Sequence, residues 1–460
     1  LFSLWICALI FLCAAQFSPA QMPPRPAPPE AKQPDAKQMQ MGDMPGMEAN
    51  MEGEAGDPVM EHAHTSSGTA WQPLASSMNM WSKTFGSWLV MAHGNLFLAY
   101  NQQGGKRGVG KVESTNWLML MEQRQLGSGG GTVQFREMLS AEPLTTPHGG
   151  FPELFQTGET YKGVPLLDHQ HPHDVFGELA ALYSLPVSEK LTWMLYGGPA
   201  GEPAFGPVTF LHRESASEFE DTPLGHHLQD STHISYGVVT SGLGWKTGDD
   251  GAIKLEGSAF NGREPDEDRV DLDFAPLDSF SGRANWDPGK NWSVQYSYAR
   301  LVHPEAAEPG DIRRQTASVM YARKLERIAG NVSATLLWGR NRKLLPQTTQ
   351  NSYLLESVLN FKRKNYLFSR IELVDKDELF PAARFPDSAF TGQNFRVGAY
   401  TFGAVRDLVQ DRLVNLGLGS DVTFYSKPAA LDAFYGQHPV SFRIFLRVRP
   451  AAMEAMRHSH

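Results

Sequence analysis

The sequence predicts an all-β chain, a transmembrane antiparallel β-barrel of about 16 strands preceded by a disordered N-terminal arm. Three observations predict it. Strand-like segments recur from about Trp88 to Pro450. The gaps between them alternate, long after each odd-numbered segment and a few residues after each even-numbered one. Within several segments apolar and polar residues alternate with period two, the mark of a strand with two different faces. An even strand number, tight turns at one end and long loops at the other is how an outer-membrane barrel is written.

The bulk numbers agree. The 460 residues suit one large barrel plus an arm, and the net charge of -9 argues against a generally basic, nucleic-acid-binding chain. Mean hydropathy is -0.34, and no long apolar run follows the first residues, so helical spans are not expected. Barrel strands bury one face in lipid and keep the other wet, so the average stays polar.

Residues 1–20 read as a signal peptide. Leu1 to Ala15 is almost wholly apolar, and Ser18-Pro19-Ala20 offers a small-x-small cleavage site. A charged region ahead of the apolar run is missing, and an N-terminal anchor is the alternative. Both cysteines, Cys7 and Cys13, lie in this leader, so no disulfide is expected afterwards. Residues 21–81 read as a disordered periplasmic arm. It opens Met22-Pro23-Pro24 and continues in Met, Gly, Glu and Ala, with too few branched or aromatic residues to bury a core.

Residues 82–450 form the expected barrel, with strands near 87–100, 116–125, 131–140, 177–187, 191–200, 234–246, 252–263, 280–286, 291–302, 313–323, 331–342, 351–361, 365–377, 394–408, 413–426 and 439–449. In 291–302, Trp292, Val294, Tyr296 and Tyr298 share one face, and Ser293, Gln295, Ser297 and Ala299 share the other. In 439–449, Phe442, Ile444, Leu446 and Val448 oppose Ser441, Arg443, Arg447 and Arg449. Hydrocarbon satisfies no backbone polar group, so such strands must close on themselves. Short gaps such as Gly248-Asp249-Asp250-Gly251 and Asp287-Pro288-Gly289-Lys290 are turn compositions. Long gaps span about 141–176, 201–233, 264–279 and 378–393; structureless stretches of that length are unusual in a compact soluble domain. Trp88, Trp117, Trp193, Trp245, Trp286, Trp292 and Trp338 suit interfacial girdles. Residues 451–460 form a C-terminal tail beyond the last strand, a departure from barrels that end on an aromatic residue. A soluble all-β protein of two or more sandwiches explains neither the leader nor the loop alternation.

Two clusters carry metal-ligand chemistry. The first is Asp168-His169-Gln170-His171-Pro172-His173-Asp174, at the end of the second long gap. His169, His171 and His173 fall on one face of an extended segment, and imidazole with carboxylate suits Zn²⁺, Cu²⁺ or Ni²⁺. The second is His226, His227, Asp230 and His233, at the end of the third long gap. If helical, His226, Asp230 and His233 share a face. Both clusters lie at the same exterior end and could converge over or inside one lumen. Loop packing is the plainer alternative. His148, His212, His303 and His438 read as ordinary loop histidines.

The arm is a third candidate. Met39, Met41, Met44, Met47, Met51 and Met60, with His62 and His64, give Met-x-Met and Met-x-x-Met spacings. Thioethers are soft ligands that select Cu(I). Over about Met39–His64 the composition resembles the Met/His-rich N-terminal segments of bacterial copper-resistance outer-membrane proteins of the B type. That resemblance implies a copper role for the arm alone, with a low-complexity tether as the alternative.

Charges in the strands point to a wet lumen. Arg136, Lys254, Glu256, Arg283, Glu356, Arg370, Glu372, Arg396, Arg443 and Arg447 lie in segments that would cross the membrane. Arg or Lys facing lipid at mid-depth costs roughly 2–4 kcal/mol, so these side chains should face inward and set selectivity. The expected function is a porin-like outer-membrane channel for small polar solutes or ions, with handling of metal, copper first, as its elaboration. A copper-binding barrel with a plugged lumen is the alternative. No cofactor is required, Cu or Zn ions are the candidate ligands, and outer-membrane lipid, small polar solutes and metal ions are the expected partners. An enzyme is not expected: Asp230-Ser231-Thr232-His233 has the residue types of a hydrolase, without a nucleophile elbow or a metalloprotease helix.

Overall fold

The computed structural model describes residues 64–127, 129–231, 235–306 and 310–451. Its strands in chain order are β1 Met80–Phe85, β2 Trp88–Gln102, β3 Gly110–Glu113, β4 Asn116–Gln125, β5 Thr132–Leu139, β6 Phe151–Tyr161, β7 Val164–Gln170, β8 Phe176–Pro186, β9 Leu191–Gly201 and β10 Ser235–Lys246. The second half adds β11 Ala252–Phe260, β12 Ser279–Gly289, β13 Trp292–Leu301, β14 Ile312–Leu325, β15 Gly330–Leu344, β16 Gln347–Phe361, β17 Asn365–Lys376, β18 Phe395–Gln410, β19 Val414–Ser426 and β20 Val440–Pro450.

Sixteen of these strands form one closed antiparallel barrel: β2, β4, β5 and β8 through β20, each paired with the next. The ring closes where β2 meets β20, with Leu96 opposite Val448 and Gln102 opposite Phe442. Closure removes every sheet edge, as a chain crossing hydrocarbon requires. Two short strands complete it. β3 extends the line of β4 along β2, and β1 folds back on β2 where β20 ends. Asn79 there donates to the Pro450 carbonyl at 2.9 Å. β6 and β7 form a separate hairpin.

Side-chain alternation follows the sequence pattern. Along β13, Trp292, Tyr296 and Tyr298 are exposed outward, while Ser293, Gln295 and Ser297 are buried inward. Along β20, Phe442, Ile444 and Leu446 face out, while Arg443, Arg447 and Arg449 are buried. The outward rows form the apolar belt.

Four expectations are corrected. The link between β15 and β16 is two residues, Leu345-Pro346, so this member of the long-loop set is a tight turn; both strands simply run longer than their alternation shows. Residues 64–81 were expected as the end of a disordered arm, and they are built into the barrel. Ser66, Ser67, Thr69, Ala70 and Gln72 are all buried. Their small polar atoms meet charged groups of the wall: Gly68 N–H donates to Glu178 at 3.2 Å, and Arg283 donates to Thr69 Oγ1 at 2.7 Å. A polar lumen orders a polar segment without the apolar burial that a soluble domain would need. Trp117, assigned to a girdle, points inward and packs at a tilt against His212, ring centroids 4.5 Å apart. Arg396 points outward and pairs with Asp375 at 2.7 Å; it sits near the strand end, where charge meets water rather than hydrocarbon.

Candidate functional site

The lumen is filled by three segments of the chain itself. Residues 64–78 lie against β12 and β13 near a short turn, where Ala75 donates to the Lys290 carbonyl at 2.8 Å. The β6–β7 hairpin folds inward: Phe151, Leu154 and Phe155 are buried, and Lys376 of β17 reaches Gln156 at 2.9 Å. The segment 202–231 crosses the interior, almost wholly buried. The last two are long loops of the sequence and the first is the end of the arm; all three turn inward because the wall offers charged partners.

Ion pairs fix the long segment. Arg213 Nε meets Glu356 of β16 at 2.5 Å, and Glu356 also holds Arg370 of β17 at 3.3 Å. Asp221 receives Arg443 at 2.6 Å and Arg370 at 3.2 Å. Glu218 pairs with Arg447 and with Arg449, the latter at 2.9 Å. Arg136, Lys254, Glu256, Arg283, Glu356, Arg370, Glu372, Arg443 and Arg447 are thus all buried inward. They clamp the plug to the wall, and Arg396 alone of the expected lining stands outside.

Within this plug the two histidine segments converge. His171, His226 and His227 bring ligand atoms within 4.8 Å of one another, and all three are buried. Their rings lie at 4.1 Å (His226 to His227), 5.7 Å (His171 to His227) and 6.2 Å (His171 to His226). His171 follows β7, while His226 and His227 lie on a single helical turn, His226–Gln229. Two glycines permit the approach. A Cβ on Gly339 of β15 would overlap the Leu228 carbonyl, and one on Gly158 of β6 would come within 2.6 Å of the His227 ring.

Carboxylates ring the imidazoles. His171 Nε2 lies 3.2 Å from Glu159, and His227 Nδ1 lies 3.1 Å from Glu264. Glu305 joins His227 and Glu264 in a second close group. Burial, with help from Arg269, holds His171 well below the usual imidazole range. Burial and His227 do the same to His226, and burial lowers His227 to about 4. Burial also raises Glu159 and Glu264 to about 8. The imidazoles are therefore neutral at ordinary pH, the form that ligates a metal.

The other expected ligands are placed elsewhere. Asp168 accepts from Phe155 N–H at 2.8 Å and faces Arg107 and Tyr435. His169 contacts the Leu167 carbonyl at 3.2 Å and takes no part in the cluster. His173 bonds Glu142 at 2.8 Å; burial opposes its protonation, but that carboxylate outweighs it and raises the imidazole. Asp174 pairs with Arg269 at 3.1 Å and accepts from Tyr236. Asp230 is extended rather than helical, so the expected shared face with His226 does not form, and it lies 3.5 Å from Arg213. His64, expected on a free arm, is buried between Gln72 and Asp287. Met39, Met41, Met44, Met47, Met51, His62 and His233, with the leader and residues 452–460, lie outside the described residues. Glu159, Glu264 and Glu305 were missed because each is one of several loop carboxylates, and nothing local sets it beside a histidine; Glu264 and Glu305 come from other loops than the histidines they meet.

No family model and no curated protein matches the chain. Among solved structures it is similar to an anion-selective porin from Comamonas acidovorans, at 12% identity and TM-score 0.48, over 79% of this chain and 99% of that one. It is similar to OprB of Pseudomonas putida, at 8% identity and TM-score 0.48, over 79% of this chain and 94% of that one. It is also similar to OmpF of Salmonella typhi, at 9% identity and TM-score 0.46, over 80% of this chain and all of that one. The barrel assignment rests on the strand pairing itself, not on these likenesses.

Proposed function

We propose that the protein is a bacterial outer-membrane barrel that binds transition-metal ions in a plugged lumen and passes them, or small polar solutes, when the plug moves. One observation carries this: three buried imidazoles from two separate loops bring ligand atoms within 4.8 Å of one another inside a barrel, with Glu159, Glu264 and Glu305 beside them. His171, His226 and His227 would hold the ion, with Glu159 or Glu264 supplying an oxygen. Imidazole and carboxylate suit Zn²⁺, Ni²⁺ or Cu²⁺. The inward charges suit passage of ions once segment 202–231 is displaced. The composition of the arm supports copper as the biological metal, with Met39, Met41, Met44, Met47 and Met51 as a soft capture segment.

The test is Zn²⁺ titration of the purified full-length protein, followed calorimetrically. His171→Ala and His226→Ala should each weaken binding at least about tenfold, since losing even an outer-shell partner of a ligand typically costs that much. Unchanged Zn²⁺ affinity in both variants refutes metal binding at this cluster.

A further inference from the structure

A second group of metal-ligating side chains lies in the barrel wall, apart from the imidazole cluster. Strand register builds it. Met80 of β1 stands opposite His93 of β2, His93 opposite Met119 of β4, and Met119 opposite Met138 of β5. Directly opposed residues share a face, so one row across four neighbouring strands reads Met, His, Met, Met on the inward side. Met91 opposite Met121 adds a second row. Met78, Met80, Met91, Met119, Met121 and Met138 pack as one buried group.

The contacts are specific. His93 Nε2 lies 3.2 Å from the Met119 sulfur. His212, carried by the plug segment, brings Nε2 to 3.3 Å from the Met138 sulfur, and its ring lies 5.0 Å from that of His93. Donor atoms of a tetrahedral metal site with N and S ligands stand about 3.5 Å apart, so both N–S pairs already have nearly the separation that an ion would impose. Trp117 covers the group, 4.5 Å from His212 and 5.1 Å from His93. A tryptophan face attracts cations.

We propose that His93, Met119, Met138 and His212 form a binding site for a soft monovalent d¹⁰ cation, Cu(I) or its analogue Ag(I). Thioethers are soft and carry no charge or proton, so they favour a soft cation over the hard Ca²⁺ and Mg²⁺ and bind without proton release. The neutral donor set matches a single positive charge; no carboxylate is among these four ligands. A small cavity beside the site is lined by Trp117, Met138, Glu142 and His173. The site deepens the metal-handling reading but stands on different residues, so either can fail alone. Because His212 belongs to the plug, filling the site ties the plug to β2, β4 and β5.

The experiment uses full-length protein in detergent and Ag(I) as the probe. Bound silver is counted after gel filtration, and tryptophan fluorescence is recorded during titration. Wild type should retain one more equivalent than the Met119→Leu/Met138→Leu variant, because the arm methionines bind equally in both. The fluorescence change assigned to Trp117 by Trp117→Phe should vanish in that variant. Leucine conserves volume, and His212→Asn, which alters no strand, serves as a second variant should the first fail to fold. His171→Ala should leave this equivalent in place while weakening Zn²⁺. Equal silver content in wild type, Met119→Leu/Met138→Leu and His212→Asn, with the Trp117 signal unmoved, would show a packing cluster only and overturn the proposal.

Discussion

Glu356→Gln should release the plug while leaving the barrel closed on itself. Glu356 stands on β16 and is fully buried. It accepts from Arg213 at 2.5 Å, from Ser215 at 2.8 Å and from Arg370 at 3.3 Å. The amide keeps the shape and removes the charge, so two buried guanidinium groups lose their shared counterion. Removing one partner of a buried pair costs about 3–5 kcal/mol. Asp230 at 3.5 Å and Asp221 at 3.2 Å remain as partial partners, so the lower end, about 3 kcal/mol, is the better figure. Arg213 belongs to segment 202–231 and Arg370 to a strand. The strain is therefore relieved by withdrawing the segment, not by opening the wall. At about 1.4 kcal/mol per decade, the displaced state rises on the order of 100-fold. Planar-bilayer recording should show a matching increase in open time over wild type. Arg213→Leu combined with Glu356→Leu should restore closure only in part: no charge on Arg213 is then orphaned, but Arg370 keeps Asp221 alone and Asp230 loses Arg213. If Glu356→Gln inserts as a folded barrel and conducts like wild type, these ion pairs do not hold the plug.

Other perturbations test separate parts of the structure. Gly339→Ala removes no ligand but displaces the turn that carries His226 and His227, so Zn²⁺ affinity should fall by tenfold or more in calorimetry. Arg396→Ala should change ion selectivity in reversal-potential measurements much less than Arg443→Ala, because Arg396 lies outside the lumen and its exposed pair is worth at most about 1 kcal/mol. Glu214, in the plug, is raised to about 7 by burial and accepts from Ser77 at 2.6 Å. Its folded value lies above the unfolded one, near 4.5. Its contribution is therefore complete below pH 4.5 and lost as pH rises through 7. Glu214→Gln should flatten the fall in thermal stability between pH 5 and pH 8, by on the order of 3 kcal/mol at the upper end. An unchanged pH profile would refute a buried neutral Glu214.

The sequence by itself determined the barrel, because a strand between lipid and water writes its two faces into every second residue. The rows Trp292–Tyr298 and Phe442–Val448 were legible for that reason, and so were the inward positions of Arg443 and Arg447. Turn composition marked the short ends. Arg396 was misplaced because a period-two pattern gives the face but not the depth, and depth decides whether outward charge is costly. The two histidine segments were legible as candidates; which histidines meet was not. His171 joins His226 and His227 because the β6–β7 hairpin folds into the lumen, whereas His169 and His173, two residues to either side, take other partners. Nothing local distinguishes them. The polar stretch 64–79 looked unable to order itself, since its partners Arg136, Glu178, Lys254 and Arg283 are scattered over more than a hundred residues of chain. The Met80–His93–Met119–Met138 row is the clearest case. Each residue is an unremarked member of its own strand, and only cross-strand register, fixed when the barrel closes, sets them side by side. Patterning along the chain chose the fold; pairing between distant strands and the inward turn of the loops chose the chemistry.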